Sequence, residues 1–323
     1  MRKLSFASAY YPFWGKLLFA PCTFDGIDLT WSHVHPPGVL FRQVIEFEPY
    51  DLAEMSLSSY TMLREAGWTS YQALPIFTLR CFRHSAIFVR EESNIVDPGG
   101  LAGKRIGVPE YHMTAAVWVR GILAEDFGLE PDKMQWFTGG AEVPGRKERV
   151  ELPQQLRALV SPIGSGETLF GLLLKGDLDA VIATQVPELL SAKPAPIRRL
   201  FRNWMEVEKE YYRKHRIFPI MHTVALRRSV CDNDREVPRK LYRALEGLKR
   251  EFYGKVDLAR NISAFPWLDF YIGEISELME QDPWPFGMEP NARALEKFME
   301  YAWQQGLIHR KPELAELFLD FDH

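Results

Sequence analysis

Four short clusters in the chain combine side chains able to bind an anion or move a proton. Ser56, Ser58 and Ser59 surround a point where an apolar strand gives way to a helix. Hydroxyls and free backbone N–H groups at a helix start suit a carboxylate or phosphate, and a plain serine N-cap is the structural alternative. Arg80, Arg83 and His84 directly precede a second apolar run. A guanidinium fork there pairs bidentately with a carboxylate, although a solvated basic strand start explains Arg80 equally well. Glu110 and Thr114 lie in the link before a helix carrying Trp118 and Arg120. Glu110 can serve as a base and Thr114 as an anion donor, or the segment is a proline-bearing turn whose acid suits the helix dipole. His222 sits inside the otherwise apolar run 218–223. A lone histidine there is ordinarily a satisfied core residue. Its distinction is a partner, His84, because two such strands can wall one cleft.

An α/β scaffold must position these groups, since short apolar runs alternate with amphipathic ones in the pattern of mostly parallel sheets. Strands are predicted over 4–9, 27–34, 52–57, 71–76, 85–89, 105–108, 134–138, 180–184 and 223–226. Ala116, Val119, Leu123 and Phe127 mark a helix with one buried face that stops at Gly128. Leu169, Leu172 and Leu173 mark another before Gly176, and Leu295, Phe298, Met299, Ala302 and Trp303 a third before Gly306. The stretch 139–153 is predicted as a long irregular loop.

Composition narrows the class. With 46% hydrophobic and 25% charged residues the 323-residue chain is neither disordered nor a coiled coil. The 39 basic and 43 acidic residues leave a net charge of -4, which argues against a nucleic-acid partner. Cys22, Cys81 and Cys231 are odd in number and widely spaced, so they form neither a disulfide framework nor a CxxC site. The longest uncharged stretch, 66–79, has 14 residues, whereas a membrane helix needs roughly 18 apolar ones. Arg2 and Lys3 are followed by too short an apolar segment for a signal peptide. A cytoplasmic location is expected. The HExxH, Walker A, GxGxxG and GxSxG motifs are missing. His33 and His35 can present two ligands on one strand face, without the acidic or cysteine neighbours of a metal site.

At these same places the chain resembles the 4,5-dihydroxyphthalate decarboxylase family. The matching blocks run from Asp51 through Ser56 to Tyr60, from Phe82 to Ser85, and from Gly103 to Tyr111, continuing through Met113 to Ala115 and Val117 to Trp118. They go on with Thr138 to Gly140, Pro144 to Arg146, Phe218 to Thr223, Trp284 to Gly287 and Asn291. Ala141, Glu142 and Val143 stand where a more acidic stretch is expected. The resemblance implies a type II periplasmic-binding-protein-like fold. Its two lobes would be 1–88 with 223–323, and 89–222, joined by crossing strands near 84–90 and 218–224. The ligand would lie between the lobes, where His84 and His222 would meet.

The resemblance further implies non-oxidative decarboxylation of a hydroxylated aromatic acid, with 4,5-dihydroxyphthalate giving protocatechuate and carbon dioxide in phthalate degradation. Direct loss of carbon dioxide would leave an aryl carbanion, so a feasible route first protonates the ring carbon bearing the carboxylate, aided by a para phenol. Such a route needs an acid, a base near the phenol and cationic holders. His84 or His222 would supply the proton, and the other histidine or Glu110 would accept the phenol proton. Histidine suits both roles, with an unperturbed pKa of about 6.5. Arg83, Arg146, Ser56, Ser58, Ser59 and Thr114 would hold carboxylates, while Trp118 and Tyr10 would stack on the ring. No cofactor is required, and a divalent metal on His84, His222 and Glu110 is the minority alternative. The partner expected is a small aromatic carboxylate, with no nucleic acid or membrane; a homo-oligomer is compatible. The competing function is a non-catalytic solute-binding protein for such an anion.

Overall fold

A computed structural model describes residues 1–259, 265–279, 282–319 and 321. The first sheet contains β1 (Arg2–Ser8), β2 (Cys22–Phe24), β3 (Ile27–His33), β4 (Leu52–Ser56) and β5 (Tyr71–Arg80). The chain then builds a second sheet from β6 (Ile87–Arg90), β7 (Arg105–Val108), β8 (Gln135–Thr138), β9 (Val160–Pro162), β10 (Ala180–Ile182) and β11 (Ile197–Arg199). It returns to the first with β12 (Ile220–Arg227). The orders are β2-β3-β1-β4-β12-β5 and β11-β6-β10-β7-β8-β9. Each predicted strand has a counterpart. The unpredicted β2, β9 and β11 have three residues each, too few to show a period.

The sheets are mixed rather than mostly parallel. β1 runs parallel to β3 and β4, and β7 parallel to β8 and β10. β6 and β12 are antiparallel to both their neighbours. These are the strands that follow the two crossings, so each arrives without the βαβ connection that makes a strand parallel.

The crossings lie side by side. Ile220 pairs with Arg80, the Cys81 amide donates to the Pro219 carbonyl at 3.0 Å, and the rings of Phe82 and Phe218 stack at 4.7 Å. β6 lies wholly in the second sheet, so the first crossing falls between Arg80 and Ile87, earlier than expected. β12 begins at Ile220, which places His222 in the first sheet rather than at the end of the second lobe.

Every residue of β4 is buried, as a strand covered on both faces must be. On one side lie Phe6, Trp14, Leu74, Leu241 and Leu245; on the other a larger core links Phe41, Met55, Trp118 and Phe298. The helix Thr114–Phe127 is buried all round from Thr114 to Leu123, not on one face, while Phe127 is 39% exposed. A helix apolar on all sides belongs inside. Helix Ala292–Gln304 packs so closely on it that a Cβ at Gly121 would meet the Tyr301 ring at 2.2 Å.

Candidate active site

The two sheets meet over a cleft of about 930 Å³, within the range of small-molecule sites. His222 lines it. Antiparallel pairing sets His222 opposite Ser56 and Val224 opposite Glu54, so Glu54 is the diagonal neighbour of His222 on one sheet face. The Nδ1 of His222 lies 2.6 Å from Glu54 Oε1. An ionised carboxylate only accepts, so Nδ1 carries the hydrogen and Nε2 is left for the cleft. Glu54 is fully buried and also accepts from the Tyr11 hydroxyl at 2.5 Å, Thr78 Oγ1 at 3.1 Å and the Ala9 amide at 2.7 Å. Burial pushes its pKa up, but the His222 bond and charge, the Tyr11 hydroxyl and the Ala9 N–H together bring it below the ordinary value. The Phe41 ring meets the imidazole edge-on at 4.9 Å.

Arg83 also lines the cleft and is 5% exposed. Its Nε donates to Met221 Sδ at 3.3 Å, and no acceptor among the described residues takes its terminal nitrogens. Burial lowers its pKa, opposed in part by Cys81 and Glu208. A buried guanidinium without a carboxylate is costly unless an anion completes it.

Ser56, Thr114, Arg146 and the half-exposed Tyr10 line the same cleft. The hydroxyls of Ser56 and Thr114 are 2.9 Å apart, and the Ser58 amide donates to Thr114 Oγ1 at 3.0 Å, joining two helix starts. That bond uses an N–H the sequence suggested for an anion. Ser58 and Ser59 are buried away from the cleft lining; Ser59 Oγ lies 3.2 Å from His112 Nε2.

Three further expectations are corrected. His84 does not border the cleft: its ring packs edge-on against Phe201 and Tyr211 at 5.5 and 5.2 Å. Burial pushes its pKa down to about 4, with Asp126 opposing and His215 reinforcing the shift. It is therefore neutral at pH 7. Trp118 does not stack on a ligand, because it is fully buried between Phe298 and Tyr301 with its indole N–H donating to the Ile220 carbonyl at 2.9 Å.

Glu110 is no free base. Arg149 Nη2 contacts its two oxygens at 2.8 and 2.7 Å, and Arg146 Nε donates to it at 2.7 Å. Burial acts to raise its pKa, but Arg149, His112 and Arg146 prevail and bring it down to about 2. Arg80 is structural too: its guanidinium binds the Phe218 and Pro285 carbonyls and Asn291 Oδ1, tying the crossings to the Trp284–Asn291 region.

Glu54 and Arg149 escaped sequence reasoning. Glu54 carried one signal, a lone charge two residues before Ser56 in an apolar strand, hence on the same face. Arg149 sits in the irregular stretch 139–153, where no period points inward.

The suspected metal trio of His84, His222 and Glu110 is dispersed among three environments. Glu110, His112 and Glu148 do offer ligand atoms within 4.8 Å of one another. Two guanidinium groups already hold Glu110, and His112 Nδ1 lies 2.6 Å from Glu148, so an incoming cation would meet fixed positive charge. No helix among the described residues is long and apolar enough to cross a membrane.

Two sheets, paired crossings and an interlobe cleft define a two-lobed periplasmic-binding-protein fold. The periplasmic aliphatic sulphonate binding protein SsuA from Escherichia coli matches with a TM-score of 0.55 at 10% identity, over 98% of this chain and 97% of that one. The desulfurization enzyme DSZB matches at 0.51 and 13% identity, over 99% and 97%. At such identities the likeness concerns the fold alone. No family model matches. In sequence the chain is 34% identical over 319 residues to 4,5-dihydroxyphthalate decarboxylase from Comamonas testosteroni, covering 98% of this chain and 96% of that one. It is 39% identical over 189 residues to the protein of that name from Pseudomonas putida, covering 58% and 73%. The chain belongs to the 4,5-dihydroxyphthalate decarboxylase family and is a carboxy-lyase.

Proposed function

We propose that the protein converts 4,5-dihydroxyphthalate to protocatechuate and carbon dioxide in phthalate degradation, with His222 as the proton donor. The observation that carries this reading is the Glu54-held imidazole bordering the same cleft as the unpaired Arg83. Protonated His222 gives its Nε2 proton to the ring carbon bearing the departing carboxylate while the para phenol loses its own. Carbon–carbon cleavage then returns an electron pair to the ring and carbon dioxide leaves. One proton is consumed per turnover. Since the phenol is the electron sink, the chemistry requires no organic cofactor.

Glu54 fixes the tautomer and stabilises the imidazolium, the role of the third member in nucleophile–base–carboxylate arrangements. Arg83 and Arg146 hold carboxylate oxygens, the Ser56–Thr114 hydroxyl pair has one O–H left to donate after the bond within the pair, and Tyr10 covers the ring. His33 and His35, which also line the cleft, are the basic groups placed to accept the phenol proton.

A first lobe built on 1–86 with 220–227, and a second on 87–219, are supported by strand membership in the two sheets. The free thiols Cys22, Cys81 and Cys231 favour a cytoplasmic setting. The test is a panel of hydroxylated benzene dicarboxylates given to purified protein, with carbon dioxide and aromatic product measured. Turnover of the 4,5-dihydroxy isomer supports the assignment. Tight binding without turnover across the panel would replace it with a solute-binding role.

A further inference from the structure

We infer that Arg149 is the specificity-determining residue that grips the second carboxylate of an ortho-dicarboxylate, an inference resting on the aromatic-acid reading above. Arg83, Arg146 and Arg149 all border the cleft. Glu110 sits between the last two and offsets one of the three charges. Glu148 is occupied by His112 and the Tyr111 amide, and Glu142 is exposed at the rim, where water screens it. Arg83 and the open edge of Arg149 thus remain to take two anionic groups, the number an ortho-dicarboxylate brings.

The two arginines on Glu110 are not equivalent. Arg146 spends Nε and Nη2 on the carboxylate and its side chain is 39% exposed, so water competes for the rest. The Arg149 side chain is 4% exposed, gives only Nη2 to Glu110, and leaves a buried Nη1 with no partner among the described residues. A buried cationic N–H without an acceptor has lost its hydration uncompensated. Arg149 also lies over the Phe41 ring at 5.1 Å, the same ring that His222 meets at 4.9 Å. Proton donor and second anion post thus flank one side chain, while Glu110 holds the fork in place.

Calorimetric titration with phthalate and benzoate tests this without turnover, because neither carries the hydroxyl that drives decarboxylation. Wild-type protein should bind phthalate more tightly than benzoate. Arg149→Gln should weaken phthalate at least tenfold and benzoate less than twofold. Arg149→Lys keeps a cation for Glu110 but loses the fork, and should show a smaller loss, threefold or more, again confined to phthalate. Should Arg149→Gln fail to fold, the lysine variant decides by the same criterion. Unchanged phthalate binding, or equal losses for both ligands, overturns the inference. Carbon dioxide release by a wild-type protein that does not prefer phthalate also removes it and leaves the decarboxylase reading standing. A phthalate preference lost in the variants, without wild-type turnover of dihydroxyphthalate, supports the post and removes the decarboxylase reading instead.

Discussion

His222 is the residue on which the chemistry turns. If it donates the proton, His222→Asn should lower kcat by about 10²–10⁴-fold with phthalate binding retained. Glu54→Gln should depress kcat at least tenfold while leaving KM nearly unchanged, because it acts on the imidazole and not on the substrate. Steady-state kinetics on both variants checks the split, and an equal rise in KM would point to a disturbed cleft instead. His84→Phe should keep kcat within a few fold, since His84 lies among Phe201 and Tyr211 outside the cleft; a hundredfold loss in a folded variant would restore it to the mechanism. His222 was legible as a polar residue in an apolar run, but its partner was misassigned. Two histidines ahead of strands suggested a pair, whereas register across β4 and β12 joins His222 to Glu54, and register is a long-range property that no local pattern encodes.

Among the elements, the long strands and the helices ended by Gly128 and Gly176 were readable because period and stop signal agree there. Three-residue edge strands and the antiparallel entry of β6 and β12 were not, since both depend on where the chain crosses between sheets. The helix Thr114–Phe127 shows a further limit: its apolar stripe predicted one buried face, yet helix Ala292–Gln304 covers another. Gly121 is the point of closest approach. Gly121→Ala should destabilise the protein by about 1–3 kcal/mol through overpacking against Tyr301, read as a lower urea midpoint with an unchanged slope. An unshifted midpoint would mean that the helices can separate without cost.

For the whole molecule, the cleft depends on charge that folding buries. Glu110 has a folded pKa of about 2, below the roughly 4.3 of a free glutamate. Where the unfolded chain binds a proton that the folded one refuses, stability rises with pH and is lost on acidification. The Glu110 contribution is therefore complete above about pH 5 and is lost as the pH drops toward about 2. Denaturant titrations across that window should give a shallower acid slope for Glu110→Gln, and an identical slope would remove Glu110 from the ledger. Dialysis of active protein against a chelator should leave the rate unchanged, because the Glu110, His112 and Glu148 group is already committed to protein partners; loss of activity restored by one divalent metal would revise that view. The most direct test of the whole account follows protocatechuate and carbon dioxide after mixing 4,5-dihydroxyphthalate with wild-type protein and with folded His222→Asn. One molecule of each product per substrate from the wild type, and a variant that binds phthalate but is all but inert, is the predicted result. Product formation at equal rates in the two proteins would contradict it.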